Sequence, residues 1–141
     1  MTRFLAASPD VTEVIAVDSF EGAIAALKSY NLPKTVPVRS TLERLELPCE
    51  KVDTLLACEL LEHLYADEER QLLENLKAYV MPGTRYLISV PIGWLQDPCH
   101  VRSFSKSRFK KHLATFYGPP VEVDYSSGYS QSAWGYFKGR P

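Results

Sequence analysis

Short apolar runs alternate along the chain with segments whose apolar residues recur at helical spacing. The first run, Glu13 to Asp18, is almost continuously apolar and ends in a carboxylate, which is typical of a strand buried on both faces of a parallel sheet. Ser19 follows it and is predicted to cap a helix that stops at Asn31-Leu32-Pro33. One face of this helix would carry its apolar residues, Phe20, Ala23, Ile24 and Leu27.

Further strands are predicted at Thr35 to Arg39, Val52 to Cys58 and Thr84 to Val90. The first of them belongs at a sheet edge, because Pro37 cannot donate to a strand ladder. Between the other two, Asp67 to Val80 shows an apolar stripe opposite a charged face. This pattern predicts a helix, which Pro82-Gly83 ends.

The rest of the chain predicts one more helix and a pair of strands. Ser105 is expected to cap the helix, since Phe104 and Phe109 stand at the two positions of a hydrophobic staple. Val121 to Tyr125 and Ala133 to Phe137 are expected to pair antiparallel. Strands and helices that alternate and end in such a pair predict a doubly wound, mostly parallel α/β fold. Its ligand should lie beyond the carboxyl ends of the strands.

Composition and charge narrow the class of protein. The chain has 141 residues, of which 45% are hydrophobic and 23% charged, as in one globular domain. Its net charge of −1 creates no field that would attract nucleic acid or an anionic membrane, so neither partner is expected. Cys49, Cys58 and Cys99 lack zinc-ligand spacing and predict free thiols. Without a membrane-length apolar stretch, we expect a soluble protein of the reducing cytoplasm.

Asp18 is the first candidate for ligand binding. A carboxylate that closes a strand just before a capped helix can accept hydrogen bonds from the vicinal hydroxyls of a ribose. The same side chain could instead cap its own helix, as acidic residues after strands often do.

Four segments carry, in order, a resemblance to class I S-adenosylmethionine-dependent methyltransferases. They are Val14 to Asp18, Val52 to Leu64, Tyr79 to Pro91 and His100 to Ser105. The resemblance covers about residues 11 to 117. Its Pro-Gly turn, its E-x-x-E-H-L segment and its H-x-R-x-F-S segment look most like the branch that methylates small molecules, including the ubiquinone-type O-methyltransferases.

The resemblance implies a Rossmann-like methyltransferase sheet from which the first strand is missing. Family members end that strand in a glycine-rich loop, roughly G-x-G-x-G, whereas this chain begins at Met1 inside what would be the tail of the first helix. We therefore expect a single, N-terminally truncated domain over residues 1–141. The missing strand would lie between the strands at Val14 and Val52. Either these two pair directly, or a second copy of the chain completes the sheet as a homodimer.

The resemblance also implies S-adenosylmethionine as the cofactor and a set of residues that hold it. Asp18 would bind the ribose hydroxyls, and Ser19 beside it is a further cofactor-binding residue. The remaining contacts would be Ser40, Thr41 and Leu42 at the adenine rim and Cys58 and Glu59 at the floor of the site.

The implied reaction is methyl transfer to oxygen or nitrogen of a small-molecule acceptor. Transfer from a sulfonium needs alignment and, for a hydroxyl acceptor, a base whose pKa lies near the working pH, which suits histidine. His63 and His100 are the candidates for this catalytic role, although each could instead brace its own loop or helix. Arg102 could bind a substrate carboxylate or phosphate, or form a surface salt bridge.

Two other functions stay open beside this leading interpretation, which needs no metal. Glu59, Glu62, His63 and His100 resemble the set with which small-RNA 3′-end methyltransferases hold a divalent ion near a terminal ribose. Many metal-free relatives also carry E-x-x-E-H. Alternatively, the chain is a degenerate, non-catalytic methyltransferase-like domain that acts by self-association or by binding a partner.

Overall fold

The computed structural model describes residues 1–93, 97–118, 122–125 and 132–138. The chain forms two compact units, residues 1–50 and residues 51–141. The expected single domain over the whole chain stays a prediction. Within the described residues, no helix combines the length and the apolar character needed to cross a lipid bilayer.

The first unit is a strand–helix–strand unit preceded by a short helix. Its elements are α1 (Thr2–Ala7), β1 (Val14–Asp18), α2 (Glu21–Ser29) and β2 (Thr35–Arg39). β1 and β2 pair in parallel, with Val14 opposite Thr35 and Asp18 opposite Arg39. Lys34, just before β2, donates from Nζ to the carbonyl oxygens of Ser8 at 3.1 Å and Val11 at 2.8 Å. These bonds tie the start of β2 to the chain that enters β1, and the predicted strands are confirmed.

The start of α2 differs from the prediction. Asp18 Oδ1, rather than Ser19, accepts a hydrogen bond from the backbone N–H of Phe20, at 2.8 Å. The helix begins only at Glu21, so Phe20 precedes the first turn and is 71% exposed, instead of lying on the buried face. Ile24 is buried as expected. β1 was expected to be buried on both faces, but its residues are half-buried or exposed.

The second unit contains the larger sheet. Its elements are β3 (Thr54–Cys58), a 3₁₀ turn (Leu61–His63), α3 (Ala66–Leu76), β4 (Arg85–Pro91), α4 (Lys106–Phe116), β5 (Glu122–Tyr125) and β6 (Ser132–Lys138). The strand order is β3-β4-β6-β5, in which β3 and β4 are parallel and β6 is antiparallel to both β4 and β5. The α/β fold with parallel strands and a C-terminal antiparallel pair is confirmed. Val121, which we placed in the fifth strand, lies outside the described residues.

The first of the two expected alternatives, direct pairing of the strands at Val14 and Val52, is wrong. In the described part of the chain, β1 pairs with β2 alone and β3 with β4 alone. β3 was predicted as a buried strand, yet all its residues are half-buried, since only one edge has a strand partner there. Completion of the sheet by a second copy stays a prediction.

Helices α3 and α4 supply much of the apolar core of the second unit. Ser105 caps α4 as predicted, because its Oγ accepts from the N–H of Arg108 at 3.3 Å. The staple is also confirmed: the rings of Phe104 and Phe109 are buried and meet edge to face, with centroids 5.9 Å apart. α3 ends at Leu76 instead of Val80, because hydrogen bonds to the third preceding residue tighten the chain there.

A fully buried carboxylate, Glu69, connects α3 to α4 and to the segment before it. Its Oε2 accepts from Arg102 Nη1 at 2.7 Å, and its Oε1 lies 2.8 Å from His112 Nε2 and accepts from Tyr117 Oη at 2.9 Å. Arg102 also donates from Nε to the carbonyl oxygen of Leu61, at 3.0 Å. The expectation that Arg102 binds substrate or pairs at the surface is wrong, since its side chain is mostly buried in this network.

The network keeps Glu69 ionised in the folded protein. Burial by itself raises the pKa of Glu69, but hydrogen bonds from His112 and Arg102 and the charge on His112 outweigh it. The pKa therefore lies below its ordinary value of 4.5. Burial and the neighbouring charge of Glu69 raise the pKa of Tyr117, so its hydroxyl keeps the proton that it donates.

The Glu69→Gln variant should lose about 3 kcal/mol of unfolding free energy, because removing one partner of a buried ion pair leaves the charge on Arg102 uncompensated. Urea unfolding at pH 7 measures this loss. The matched control is Glu74→Gln, which removes an exposed pair with Lys77 (2.7 Å) on the same helix and should change stability by less than about 1 kcal/mol. Equal small losses in both variants would contradict the assigned role of Glu69.

Candidate functional site

The carboxyl ends of β1 and β2 bring together the predicted ribose and adenine residues of the first unit. Asp18 is exposed, and its Oδ1 already receives the Phe20 N–H. Its carbonyl oxygen accepts from the N–H of Ser40 at 3.1 Å, which holds the segment after β2 beside it. Ser19 is exposed and contributes its carbonyl oxygen to Arg39 Nε at 3.4 Å. The capping and the ligand-binding interpretations of Asp18 are therefore compatible.

An open depression of about 370 Å³ lies at this end of β2, lined by Arg39, Ser40, Thr41, Arg44 and Glu46. Its hydroxyl groups form hydrogen bonds mainly with other groups of the same loop. Ser40 Oγ donates to the carbonyl oxygen of Arg44 and accepts from the N–H of Glu46. A hydrogen bond from Thr41 lowers the pKa of Glu43. Leu42, the third predicted adenine contact, is half-buried.

These residues fit the nucleoside part of S-adenosylmethionine. Asp18 offers a carboxylate acceptor for ribose hydroxyls, and the depression beside Ser40 and Thr41 has the volume of a ligand cleft, roughly 300–1,000 Å³. The adenine contact would rely on shape and backbone more than on side-chain hydrogen bonds, because the Ser40 hydroxyl is already engaged.

Cys58 and Glu59, the predicted floor residues, end β3 in the second unit. Glu59 turns the chain through a left-handed conformation, with φ of 51°. Two contacts with Ser89 fix this turn: Glu59 N–H donates to the Ser89 carbonyl oxygen at 3.0 Å, and Ser89 Oγ donates to Glu59 Oε1 at 2.8 Å. Burial raises the pKa of the half-buried Cys58 thiol, which therefore stays protonated at neutral pH.

Glu62, His63 and His100 form a cluster. The 3₁₀ turn supplies the first two residues, and the segment between β4 and α4 supplies His100. One possible ligand atom from each lies within 4.8 Å of the others. The rings of His63 and His100 meet edge to face with centroids 4.8 Å apart. Glu62 Oε1 lies 3.8 Å from His63 Nε2, and its Oε2 has no hydrogen-bond partner among the described residues, although the side chain is only 1% exposed.

Backbone hydrogen bonds hold this cluster in place. The carbonyl oxygen of Glu62 accepts from the N–H groups of Val101 at 2.9 Å and Arg102 at 3.2 Å. His63 Nδ1 donates to the carbonyl oxygen of Cys99 at 3.1 Å. Burial raises the pKa of Glu62 above its ordinary value of 4.5, and the charges of His63 and His100 oppose that rise.

The structure thus brings the two predicted catalytic histidines together and adds Glu62 to them. Glu59, the fourth residue of the alternative metal set, directs its carboxylate to Ser89 instead. Sequence reasoning singled out Arg102 but missed Glu69, its partner in the ion pair. A signal was available, since Glu69 stands three residues before the core residue Leu72 and therefore on the apolar stripe of α3.

Comparison with known proteins identifies relatives of this fold. The family model described as "Methyltransferase domain" matches residues 1–88. No curated protein sequence matches the chain.

Several solved structures are similar. The 1,6-didemethyltoxoflavin-N1-methyltransferase of Burkholderia thailandensis, solved with its substrate and S-adenosylhomocysteine, is 18% identical with a TM-score of 0.72 over 92% of this chain and 62% of that one. A DhpI complex with S-adenosylhomocysteine is 16% identical with a TM-score of 0.73 over 99% and 72%. TehB from Haemophilus influenzae is 13% identical with a TM-score of 0.65 over 91% and 50%. At these identities the likeness shows the fold alone, and the chain spans less than two thirds of the Burkholderia enzyme and of TehB.

His63 should carry its neutral-state proton on Nδ1, because a carbonyl oxygen such as that of Cys99 can only accept. Nitrogen-15 NMR of the imidazole in alkaline solution distinguishes the two tautomers. His112 provides an internal comparison, since its Nε2 faces the Glu69 carboxylate and should carry the proton instead. A His63 ring protonated on Nε2 would show that the contact with Cys99 does not form.

Proposed function

Since this chain belongs to the methyltransferase-domain family, we propose that it transfers the methyl group of S-adenosylmethionine to an oxygen or nitrogen atom of a small-molecule acceptor. In this reaction a lone pair of the acceptor attacks the methyl carbon, and the carbon–sulfur bond breaks. The sulfonium becomes the thioether S-adenosylhomocysteine, and the acceptor loses a proton. The protein mainly has to align the two reactants and accommodate that proton.

The proposed binding of the nucleoside part of the cofactor rests on Asp18. Its carboxylate is exposed at the carboxyl end of β1, where parallel α/β folds bind their ligands. The bond from Phe20 uses Oδ1 and fixes the side chain without burying it. The open depression next to Ser40 supports the proposal, because a base could lie there while its ribose reaches the carboxylate. This exposed, pre-oriented carboxylate is the observation that carries the proposal.

The proposed contacts with the methyl acceptor rest on His63 and His100 in the second unit. Both side chains lie beyond β3, and His63 is 38% exposed, so a solute can reach it. The Burkholderia relative methylates N1 of 1,6-didemethyltoxoflavin, as its name states, which supports a small acceptor for this chain too. We expect no membrane or nucleic-acid partner for this reaction, in keeping with the balanced charge of the chain.

One observation favours a second candidate, a non-catalytic methyltransferase-like domain. In the described residues, β1 and β3 each have a single strand partner. Such a domain would act by self-association, with a second copy at a free strand edge, or by binding another protein.

Calorimetric titration with S-adenosylhomocysteine tests the first candidate. The wild-type chain should bind it, and Asp18→Asn should bind roughly 10- to 100-fold more weakly, because it loses charge-assisted hydrogen bonds to the ribose. Asparagine keeps a side-chain oxygen for the Phe20 N–H, so the start of α2 is preserved.

The matched control for this titration is Asp10→Asn, an exposed carboxylate of the same unit at the opposite end of β1. It should bind S-adenosylhomocysteine as the wild type does. A titration without heat from folded wild-type protein would reject the first candidate and leave the non-catalytic domain. Equal weakening by both substitutions would remove the assigned role of Asp18.

A further inference from the structure

The cluster of Glu62, His63 and His100 contains an excess of hydrogen-bond acceptors. In its neutral form, His63 uses its Nδ1–H on the carbonyl oxygen of Cys99, so its Nε2 carries a lone pair and lies 3.8 Å from Glu62 Oε1. The Glu62 carboxylate offers only acceptors when ionised. Two acceptors that face each other repel unless a positive charge lies between them.

The spacing shows which positive charge fits. Nε2 of His63 and Oε1 of Glu62 are 3.8 Å apart, beyond the reach of about 3.2 Å within which a shared proton forms a hydrogen bond. Two ligands that each lie about 2.1 Å from a tetrahedral ion are separated by roughly 3.4 Å, and by up to roughly 4.2 Å where the angle between them opens fully. The 3.8 Å between these two atoms lies within that range, whereas it is too long for a shared proton.

The second oxygen of Glu62 supplies an independent observation. Oε2 is buried and has no hydrogen-bond partner among the described residues. An uncompensated carboxylate oxygen in this position lowers stability, and native proteins rarely retain one without an ion or water.

We propose that Glu62, His63 and His100 bind one divalent transition-metal ion, such as Zn²⁺. This site is independent of the cofactor-binding residues of the first unit and goes beyond the proposed methyl transfer. Glu59 is outside the group of residues whose ligand atoms come together here, and its Oε1 accepts from Ser89.

The surrounding backbone prepares the cluster for an ion. The bonds from Val101 and Arg102 to the Glu62 carbonyl oxygen join the segment that carries His100 to the turn that carries Glu62 and His63. The ligand atoms lie within 4.8 Å of one another, which is wider than the roughly 3.4 Å of a tetrahedral site, so side-chain rotations have to close the cluster around an ion. The partly exposed ring of His63 leaves a path from solvent.

The ligand types determine which ions bind. Imidazole nitrogen favours zinc and its neighbours in the first transition row, whereas Mg²⁺ prefers an all-oxygen set. Three protein ligands leave a fourth position of a tetrahedral ion open to water or another small ligand. If the proposed methyl transfer is also correct, an acceptor hydroxyl bound there would lose its proton more easily, and neither histidine would need to act as a free base.

Calorimetric titration of chelator-treated, metal-free protein with Zn²⁺ alone tests this site. The wild type should bind one ion per chain. Glu62→Gln and His63→Ala should each weaken binding by more than about 100-fold, which exceeds the usual effect of losing an outer partner of a ligand. Mg²⁺ should give no binding.

Controls separate ligand loss from other effects. Metal-free Glu62→Gln should melt no lower than the metal-free wild type, because a neutral amide replaces a buried carboxylate whose Oε2 has no hydrogen-bond partner among the described residues, and His63→Ala changes a more exposed side chain. Glu59→Gln should bind Zn²⁺ as the wild type does. Four results would each overturn the assignment. Glu59→Gln could weaken Zn²⁺ binding as much as Glu62→Gln does, or Glu62→Gln could leave Zn²⁺ binding unchanged. The wild type could bind Mg²⁺ as tightly as Zn²⁺, or bind no stoichiometric Zn²⁺. Asp18→Asn should keep its Zn²⁺ affinity, so failure of the cofactor proposal remains distinguishable from failure of this one.

Discussion

The charge of Glu69 is the constraint on which the second unit depends. A carboxylate this deeply buried is tolerated only where opposite charge and hydrogen bonds replace the water that it has lost. Arg102, His112 and Tyr117 provide that replacement. Each of these groups has to reach one point inside the core, and this requirement restricts how α3 and α4 can pack. The interaction thus selects one arrangement from the many that an apolar interface alone would allow.

Arg102 transmits this constraint to the candidate site. Its guanidinium binds Glu69 and the carbonyl oxygen of Leu61, while its backbone N–H donates to the carbonyl oxygen of Glu62. His100 stands two residues earlier on the same segment, so its approach to His63 depends on the position of Arg102. A charge in the core therefore determines the geometry of a histidine pair that is partly open to solvent. The chemistry proposed for that pair requires this rigidity, since an ion or an acceptor tolerates little misplacement of its ligands.

Local signals in the sequence were sufficient for most elements. The Ser105 cap and the staple of Phe104 and Phe109 involve residues at most five positions apart, and the structure has both. The strands at β2 and β4 were recognised because β-branched runs end at clear stop signals. Ser19 failed as a cap because the longer Asp18 side chain, one residue earlier, reaches the same turn. As a result, α2 begins later than predicted, at Glu21, and Phe20 is exposed to solvent instead of lying on the buried face.

Nonlocal interactions were the part that sequence reasoning could not supply. Periodicity places Glu69 on the apolar face of α3, yet its partners Arg102 and His112 follow 33 and 43 residues later. The gathering of Glu62, His63 and His100 likewise depends on backbone hydrogen bonds between distant segments.

The most direct measurement of the central claim is the difference in unfolding free energy between wild type and Glu69→Gln as a function of pH. Because the folded pKa of Glu69 lies below 4.5, the difference should have its full value just above about pH 4.5 and shrink as the pH falls toward the folded pKa. A difference that stays the same over the whole acidic range would contradict an ionised Glu69 as the centre of this fold.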